Sequence, residues 1–436
     1  MAADNLFSDQ SKLLGVNGMK KWSLLFIFSV LMLVMAACSD DASESGTTDT
    51  GTAGDSGSSS SSVESIKIGS LHPLSGGLAL EGQEMRDGVK LAVEQRNAAG
   101  GIQSLGGAKI ELIETDHEGT PEKGVSEVQK LDREGALGVI GAYSSGVALP
   151  ATQEAERAGL PFVVDIGSAN DITERGFKYT FRLQPAATTF SKDFLEILKD
   201  LNENSSEKLT RLTLVHEDSV FGTSIATAIK DMADEYGLEI VDILPHAASA
   251  ADLSTTINKI SANKPDIVVA TTYLRDGVML VEGIESSNYT PKAIIGVANG
   301  AFSNASFLTD HSAINNNIMD VNYTINQKSE LSAQVSKEYL DMFGRNLGPN
   351  AAYSYMATVV LLDAIERAGS TDRAKIQEEL RKTKLEDHIL AAGVIEFDEK
   401  GQNINARAVL NQIVDGASYV VGPEEYKVED PIFPQN

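Results

Sequence analysis

Three observations predict an α/β fold made of two units, each a mainly parallel sheet flanked by helices. From Val63 onward, apolar runs of strand length alternate with segments of helical periodicity. Small polar loops follow several of those runs, and the alternation starts afresh after Leu183. Strands alternating with helices imply parallel pairing through right-handed crossovers. A chain of 436 residues exceeds one ordinary domain, and its length suggests about two or three.

The first 62 residues stand apart from this pattern. Residues 1–18 read as a leader or a misassigned start, because a recognisable signal begins at Met19. Met19-Lys20-Lys21 is basic and precedes an apolar run of about 16 residues, shorter than the roughly 20 that a spanning helix needs. Residues 19–37 therefore read as a signal peptide. The run ends in Met35-Ala36-Ala37-Cys38, which resembles a bacterial lipobox with Met35 where leucine is more usual. Cys38, the single cysteine, is the expected lipidation site, and no intrachain disulfide is possible. Residues 39–62 are almost wholly Ser, Gly, Thr, Asp, Ala and Glu, so 38–62 form a flexible tether to a membrane surface.

The first unit is taken in order. Ile66-Lys67-Ile68 reads as a strand ending at Gly69, and 73–77 as a turn-rich loop. Met85, Val89, Ala92 and Val93 mark a helix capped at Gly100-Gly101, and 109–113 a second strand. Thr120-Pro121-Glu122 opens a helix whose buried face is Val125, Val128 and Leu131. A strand over 137–140, a helix over 147–158 and a strand over 160–164 follow. In the second unit, helices are expected around 190–198, 225–236, 253–260 and 278–284, with strands at 212–215, 238–244, 267–270 and 293–297. A strand over 318–323, helices over 331–343, 351–367 and 373–383, and an extended tail with runs at 394–397 and 408–414 complete the two units.

The candidate site lies where two strands end. Tyr143-Ser144-Ser145-Gly146 joins the strand at 137–140 to a helix start, where backbone N–H groups lack intrahelical partners and can accept a carboxylate. The next strand ends in the small polar loop 165–171, which contains Ser168. Loops at the carboxyl ends of neighbouring parallel strands line one crevice, so both should face one ligand. Either serine taken alone serves equally well as a helix or turn cap.

The formal charge of −26 at pH 7 excludes nucleic acid as a partner, since phosphate neutralisation needs a basic surface. Enzymatic patterns also fail. Gly141 to Gly146 is not G-x-S-x-G, and no histidine is placed to complete a triad with Ser144 or Ser145. The six histidines lack metal-ligand spacing and read as surface or supporting residues, while Val125 stands where a phosphate loop requires lysine. No cofactor, metal or catalytic residue is expected.

The chain is similar to the leucine/isoleucine/valine-binding proteins of ABC importers, which have the type I periplasmic binding protein fold. The similarity rests on IKIGSLHPLSGGLALEGQEMRDGVKLAVEQRNAAGGI, IGAYSSG, GLPFVV with ITERGFKYTFR, LVHEDSVFG, KPDIVVATTY and GVIEFDEKGQN, in that order. It implies two lobes, 63–182 with about 321–391 and 183–320 with about 392–425, joined by three hinge crossings near Arg182, Asp320 and Ala391, with 426–436 as a tail. It implies that Ser145 and the N–H of Gly146 hold a ligand carboxylate, and that Ile166, Gly167 and Ser168 hold the ammonium and carboxylate. Phe221 and Tyr273 match the family's cleft aromatics, and Tyr143 is a third candidate; core packing is the alternative for all three.

Three departures accompany the resemblance. The family's disulfide, near Glu118 and at Ser144, is impossible, so packing or hydrogen bonds must hold that loop. Glu81 replaces a cleft aromatic and is expected to enter the cleft toward a cationic or hydroxyl group. The glutamate that holds the ligand ammonium falls at Ala298-Asn299, which leaves the ligand class open. The reading is therefore a monomeric, lipid-anchored, extracytoplasmic receptor for an amino-acid-like or other carboxylate ligand, delivering to an ABC permease; the alternative is a sensory module acting through a partner receptor.

Overall fold

A computed structural model describes residues 63–311 and 318–434; the signal segment, Cys38 and the tether lie outside the described residues. The first sheet takes its strands from β1 (Ser65–His72), β2 (Lys109–Asp116), β3 (Val139–Gly141), β4 (Phe162–Val164) and β5 (Thr180–Arg182). All pairings are parallel and the order is β2-β1-β3-β4-β5. The crossover helices are α1 (Ala79–Ala98), α2 (Pro121–Arg133), α3 (Ser145–Ala158) and the single turn α4 (Asp171–Glu174). β1 outruns its expected end at Gly69 because it pairs with β3 through Leu71 and with β2 through His72. Gly69 stays inside the strand because a Cβ there would stand 2.6 Å from Leu131 of α2, which packs on that face.

The pattern then restarts with α5 (Ala187–Asn204), β6 (Arg211–Glu217), α6 (Val220–Met232), β7 (Glu239–His246), α7 (Ser254–Asn263), β8 (Ile267–Thr271), α8 (Leu274–Glu285), β9 (Ala293–Val297), α9 (Ala305–Asp310) and β10 (Met319–Asn322). The second sheet runs β7-β6-β8-β9-β10 in parallel, which repeats the strand order of the first. In each sheet the order reverses beside the first strand, and such switch points are where open α/β sheets form crevices.

Three later helices, α10 (Glu330–Phe343), α11 (Pro349–Ala368) and α12 (Arg373–Arg381), have no sheet of their own. α11 is buried along most of its length and packs on α1, β3 and β4 of the first lobe. A short ladder of β11 (Lys384–Leu385) and β12 (Ile395–Glu396) follows. The chain then enters the second sheet as β13 (Val409–Val414), antiparallel to β10, and turns back as β14 (Ala417–Gly422). The extended tail expected here is thus a hairpin on the sheet edge. Asp415 and Gly416, at φ +50° and +76°, form its two-residue turn, the positive-φ geometry that Asp-Gly favours.

The chain passes between the sheets after β5, after β10 and before β13. These connections are laced together: Arg182 N–H donates to Gly401 O and Asn403 N–H to Arg182 O, while Ala391 N–H donates to Thr324 O. The loop after β2, which has no disulfide, is held by Asp116 Oδ1, which accepts N–H bonds of 2.8 Å from both Leu74 and Glu118.

Close approach of α1 and α11 depends on Gly88, where an added Cβ would lie 2.1 Å from Ala351 O. Gly88→Ala would gain up to about 1 kcal/mol of helix propensity but force the helices apart, a cost of about 1–3 kcal/mol. Urea unfolding should therefore show a net loss of stability.

Candidate functional site

The loops at the ends of β3 and β4 are built as one unit. Ser145 opens α3, and its Oγ accepts N–H bonds from Ser168 at 3.1 Å and Ala169 at 3.2 Å. Both hydroxyl lone pairs are thereby used, so Ser145 has only its proton to offer a ligand. The β4 loop is clasped from behind by Arg182, whose Nη1 donates to Ala169 O at 2.6 Å and whose Nε donates to Gln402 Oε1 at 2.6 Å. At the loop's start, Asp165 accepts from Ile166 N–H and Ser354 Oγ and pairs with His72 Nε2 at 2.8 Å, while His72 Nδ1 meets Ser70 Oγ.

Ser70, His72 and Asp165 thus form a serine–histidine–carboxylate chain, though not the one sought at Ser144 and Ser145. It is sealed in the core at 0–1% exposure and no reacting group can reach it. His72, His117, His216 and His246 are all buried, so of the two expected placements, surface or supporting, these four take the second. Among the described residues no cluster of His, Cys, Asp and Glu could hold a metal ion.

Between the lobes lies a small cavity of about 20 Å³, about the room of one water. Tyr143, Ser145, Ile166 and Ser168 line it from the first lobe, and Phe221, Tyr273, Ala298 and Gly300 from the second. Gln184 and Tyr323 line it from the first two crossings. The aromatic rings touch one another: Tyr273 stands 5.5 Å from Tyr143 and 5.1 Å from Phe221 between centroids. Tyr273 Oη also donates to Ser144 Oγ across the cleft at 3.4 Å. Buried polar atoms left without partners converge here, namely Tyr143 Oη, Ser168 Oγ and both amide atoms of Gln184. No lining residue carries a formal charge.

Six of the ten ligand-binding candidates therefore surround one cavity: Tyr143, Ser145, Ile166, Ser168, Phe221 and Tyr273. Gly146 and Gly167 lie in the same loops but do not line it. Asn299 is turned away. Its amide donates to Ala270 O and Thr272 Oγ1 and accepts from the N–H groups of Ala301 and Phe302, so the side chain fastens the β9 loop. Its neighbours Ala298 and Gly300 face the cavity instead.

Glu81 enters the cleft, as expected, but meets backbone N–H groups and does not line the cavity. It is 2% exposed and faces the backbone N–H groups of its own residue and of Leu274, the first residue of α8. Its partner in this closed arrangement is the second lobe. Burial pushes its carboxyl from 4.5 up to about 7, against those two hydrogen bonds, and nearby Asp276 adds to the rise. Glu84, one turn on, is raised to about 7 by burial against the pull of Arg345, and Asn304 of the second lobe approaches it at 3.5 Å.

Two α/β lobes closing on a neutral, aromatic and donor-rich cavity define a solute-binding protein. The chain belongs to the periplasmic binding protein family, whose model matches residues 65–417. It is 29% identical over 387 residues to Leu/Ile/Val-binding protein homolog 7 of Brucella abortus, covering 85% of this chain and 94% of that one. A leucine-binding protein of Thermotoga maritima superposes with a TM-score of 0.72 at 21% identity, over 82% of this chain and 98% of the other. A solute-binding protein of an R. palustris ABC transporter, in complex with benzoate, superposes with a TM-score of 0.71 at 19% identity, over 82% and 96%. The family consists of binding proteins and not enzymes.

In this arrangement of the lobes Glu81 and Glu84 are buried, and burial raises their affinity for protons. An acid whose pKa is raised in the closed form favours closure fully below 4.5 and loses that contribution as pH rises through about 7. Ligand affinity, followed by calorimetry from pH 5 to pH 8, should weaken with rising pH by at most about tenfold per unit for each proton, and Glu81→Gln should flatten the profile. Gly300 approaches the first lobe so closely that a Cβ would stand 2.6 Å from Tyr143 Oη. Gly300→Ala should prop the cleft open, weakening binding in titrations while the unliganded melting temperature holds.

Proposed function

We propose that this protein is an extracytoplasmic, lipid-anchored receptor that closes on a small carboxylate and presents it to an ABC importer. The observation that carries the ligand class is the cavity lining. Ser145 has a proton free to donate, Ser168 Oγ is unpartnered, and the first turn of α3 adds N–H groups and a positive dipole end, a set suited to an anion. The aromatic walls suit an apolar or aromatic body. No carboxylate lines the cavity, so a desolvated α-ammonium would lack an ionic partner.

A carboxylate without an ammonium is therefore favoured over a zwitterionic amino acid. The leucine and benzoate ligands of the two solved proteins are the corresponding alternatives. The signal segment, Cys38 and the Ser/Gly tether support membrane anchoring outside the cytoplasm, and family membership supports the importer role. Closure supplies the signal to a permease: inverting a 99:1 open preference takes about 5.5 kcal/mol of differential binding, within reach of several buried charge-assisted hydrogen bonds.

Thermal melting with benzoate, isocaproate and leucine tests the reading, because isocaproate is leucine without its ammonium. Benzoate and isocaproate should each raise the melting temperature, by about 2.7 kcal/mol of stabilisation at 100 times Kd, and leucine should do so less at equal concentration. Tighter binding of leucine than of isocaproate would overturn the ligand class. Ser145→Ala should weaken carboxylates about tenfold to a hundredfold, the worth of a hydrogen bond to a charged group.

A further inference from the structure

Gln184 is the least explained buried side chain near the cavity. It sits on the first crossing, is 1% exposed, and lines the space between the lobes. Its Oε1 and Nε2 both lack partners, whereas its backbone is well secured: Gln184 O accepts from Gln402 Nε2 at 2.9 Å. The fold therefore fixes where this residue is without using its amide. A primary amide buried with neither donor nor acceptor satisfied is costly, and both of its groups are complemented at once only by a partner that donates and accepts side by side.

The neighbours define the rest of the ligand. Ala187 N–H donates to Ser168 O, which ties the segment after Gln184 to the loop bearing the unpartnered Ser168 hydroxyl. On the other side stands Tyr323, whose own hydroxyl is engaged with Asn350 Oδ1 at 2.7 Å and does not compete for the amide.

We infer that Gln184 reads a second polar group on the ligand, a planar carboxamide-like group, at a short distance from the carboxylate held by Ser145 and Ser168. This inference rests on the carboxylate reading above and names the second recognition element of the same site. The ligand class becomes a small carboxylate that also carries an amide edge. Gln184 is thus a specificity-determining residue, and an apolar residue there would invert the preference.

The test uses three carboxylates of nearly equal shape: succinamate, which offers a donor and an acceptor; levulinate, which offers an acceptor only; and isocaproate, which offers neither. Their affinities for the full chain and for Gln184→Met, a near-isosteric variant, are measured by calorimetry. The wild type should bind succinamate at least about tenfold more tightly than isocaproate, with levulinate between, because a site built for hydrogen bonds rejects analogues that lack them. Gln184→Met should reverse that order. A lost or merely structural role does not reverse a rank order, so identical orders in the two proteins would overturn the inference while leaving the carboxylate reading intact. If the variant fails to fold, the wild-type order decides, and isocaproate binding as tightly as succinamate would overturn it. Binding of none of the three to either protein would overturn the carboxylate reading, and this inference with it.

Discussion

The burial of Arg182 is the constraint on which the binding region depends. Its guanidinium, 1% exposed, has no carboxylate within hydrogen-bond distance and is satisfied by Ala169 O, Gly167 O, Thr173 Oγ1 and Gln402 Oε1. Burial lowers its pKa from 12.5 to about 9, which leaves it charged at neutral pH. A buried charge of this kind is tolerated only while every contact persists, so the β4 loop, the first crossing and the third crossing are held in one geometry. Ser145, Ser168 and Gln184 inherit their positions from that arrangement, and the lobes can move about it without deforming the loop.

Most of the two sheets was legible in the sequence, because a parallel strand covered on both faces is a continuous apolar run between turn formers. Ile267 to Ala270 and Ala293 to Val297 are of this kind, and the structure places strands there. The β14 hairpin strand was missed although Asp415-Gly416 is a strong turn signal, because its Ala417-Ser418-Tyr419 start shows no clear alternation. Among the site residues, Ser145 and Ser168 could be placed from the chain alone, since topology puts neighbouring strand ends in one crevice, while Phe221 and Tyr273 came from the family resemblance. Gln184 and Tyr323 could not, because they lie on crossings where no periodicity operates and only the packed lobes bring them to the cavity. Asn299 shows the opposite failure: chain position brought it near the cleft, and local hydrogen bonding turned its amide elsewhere.

Around the cavity, contact between the lobes uses small residues and hydroxyls. Gly300 admits the Tyr143 hydroxyl, Tyr273 reaches Ser144, and burial pushes the carboxyls of the two α1 glutamates that meet the second lobe up to about 7. Such contacts are individually weak. They suit an interface that must open again, because no fully desolvated ion pair among the described residues has to be broken.

The uncharged cavity wall acquires a further meaning beside the formal charge of −26 carried by the whole chain. An anionic solute approaching this surface meets long-range repulsion and finds attraction only in the last few ångströms, where hydroxyl and amide dipoles replace its water. For an anion the encounter is slowed by that repulsion, and added salt, which shortens the reach of the surface field, speeds it. Were its ligand the carboxylate proposed above, a receptor of this design would gather it faster in a saline medium than in a dilute one, the reverse of proteins that draw their ligands in by opposite charge.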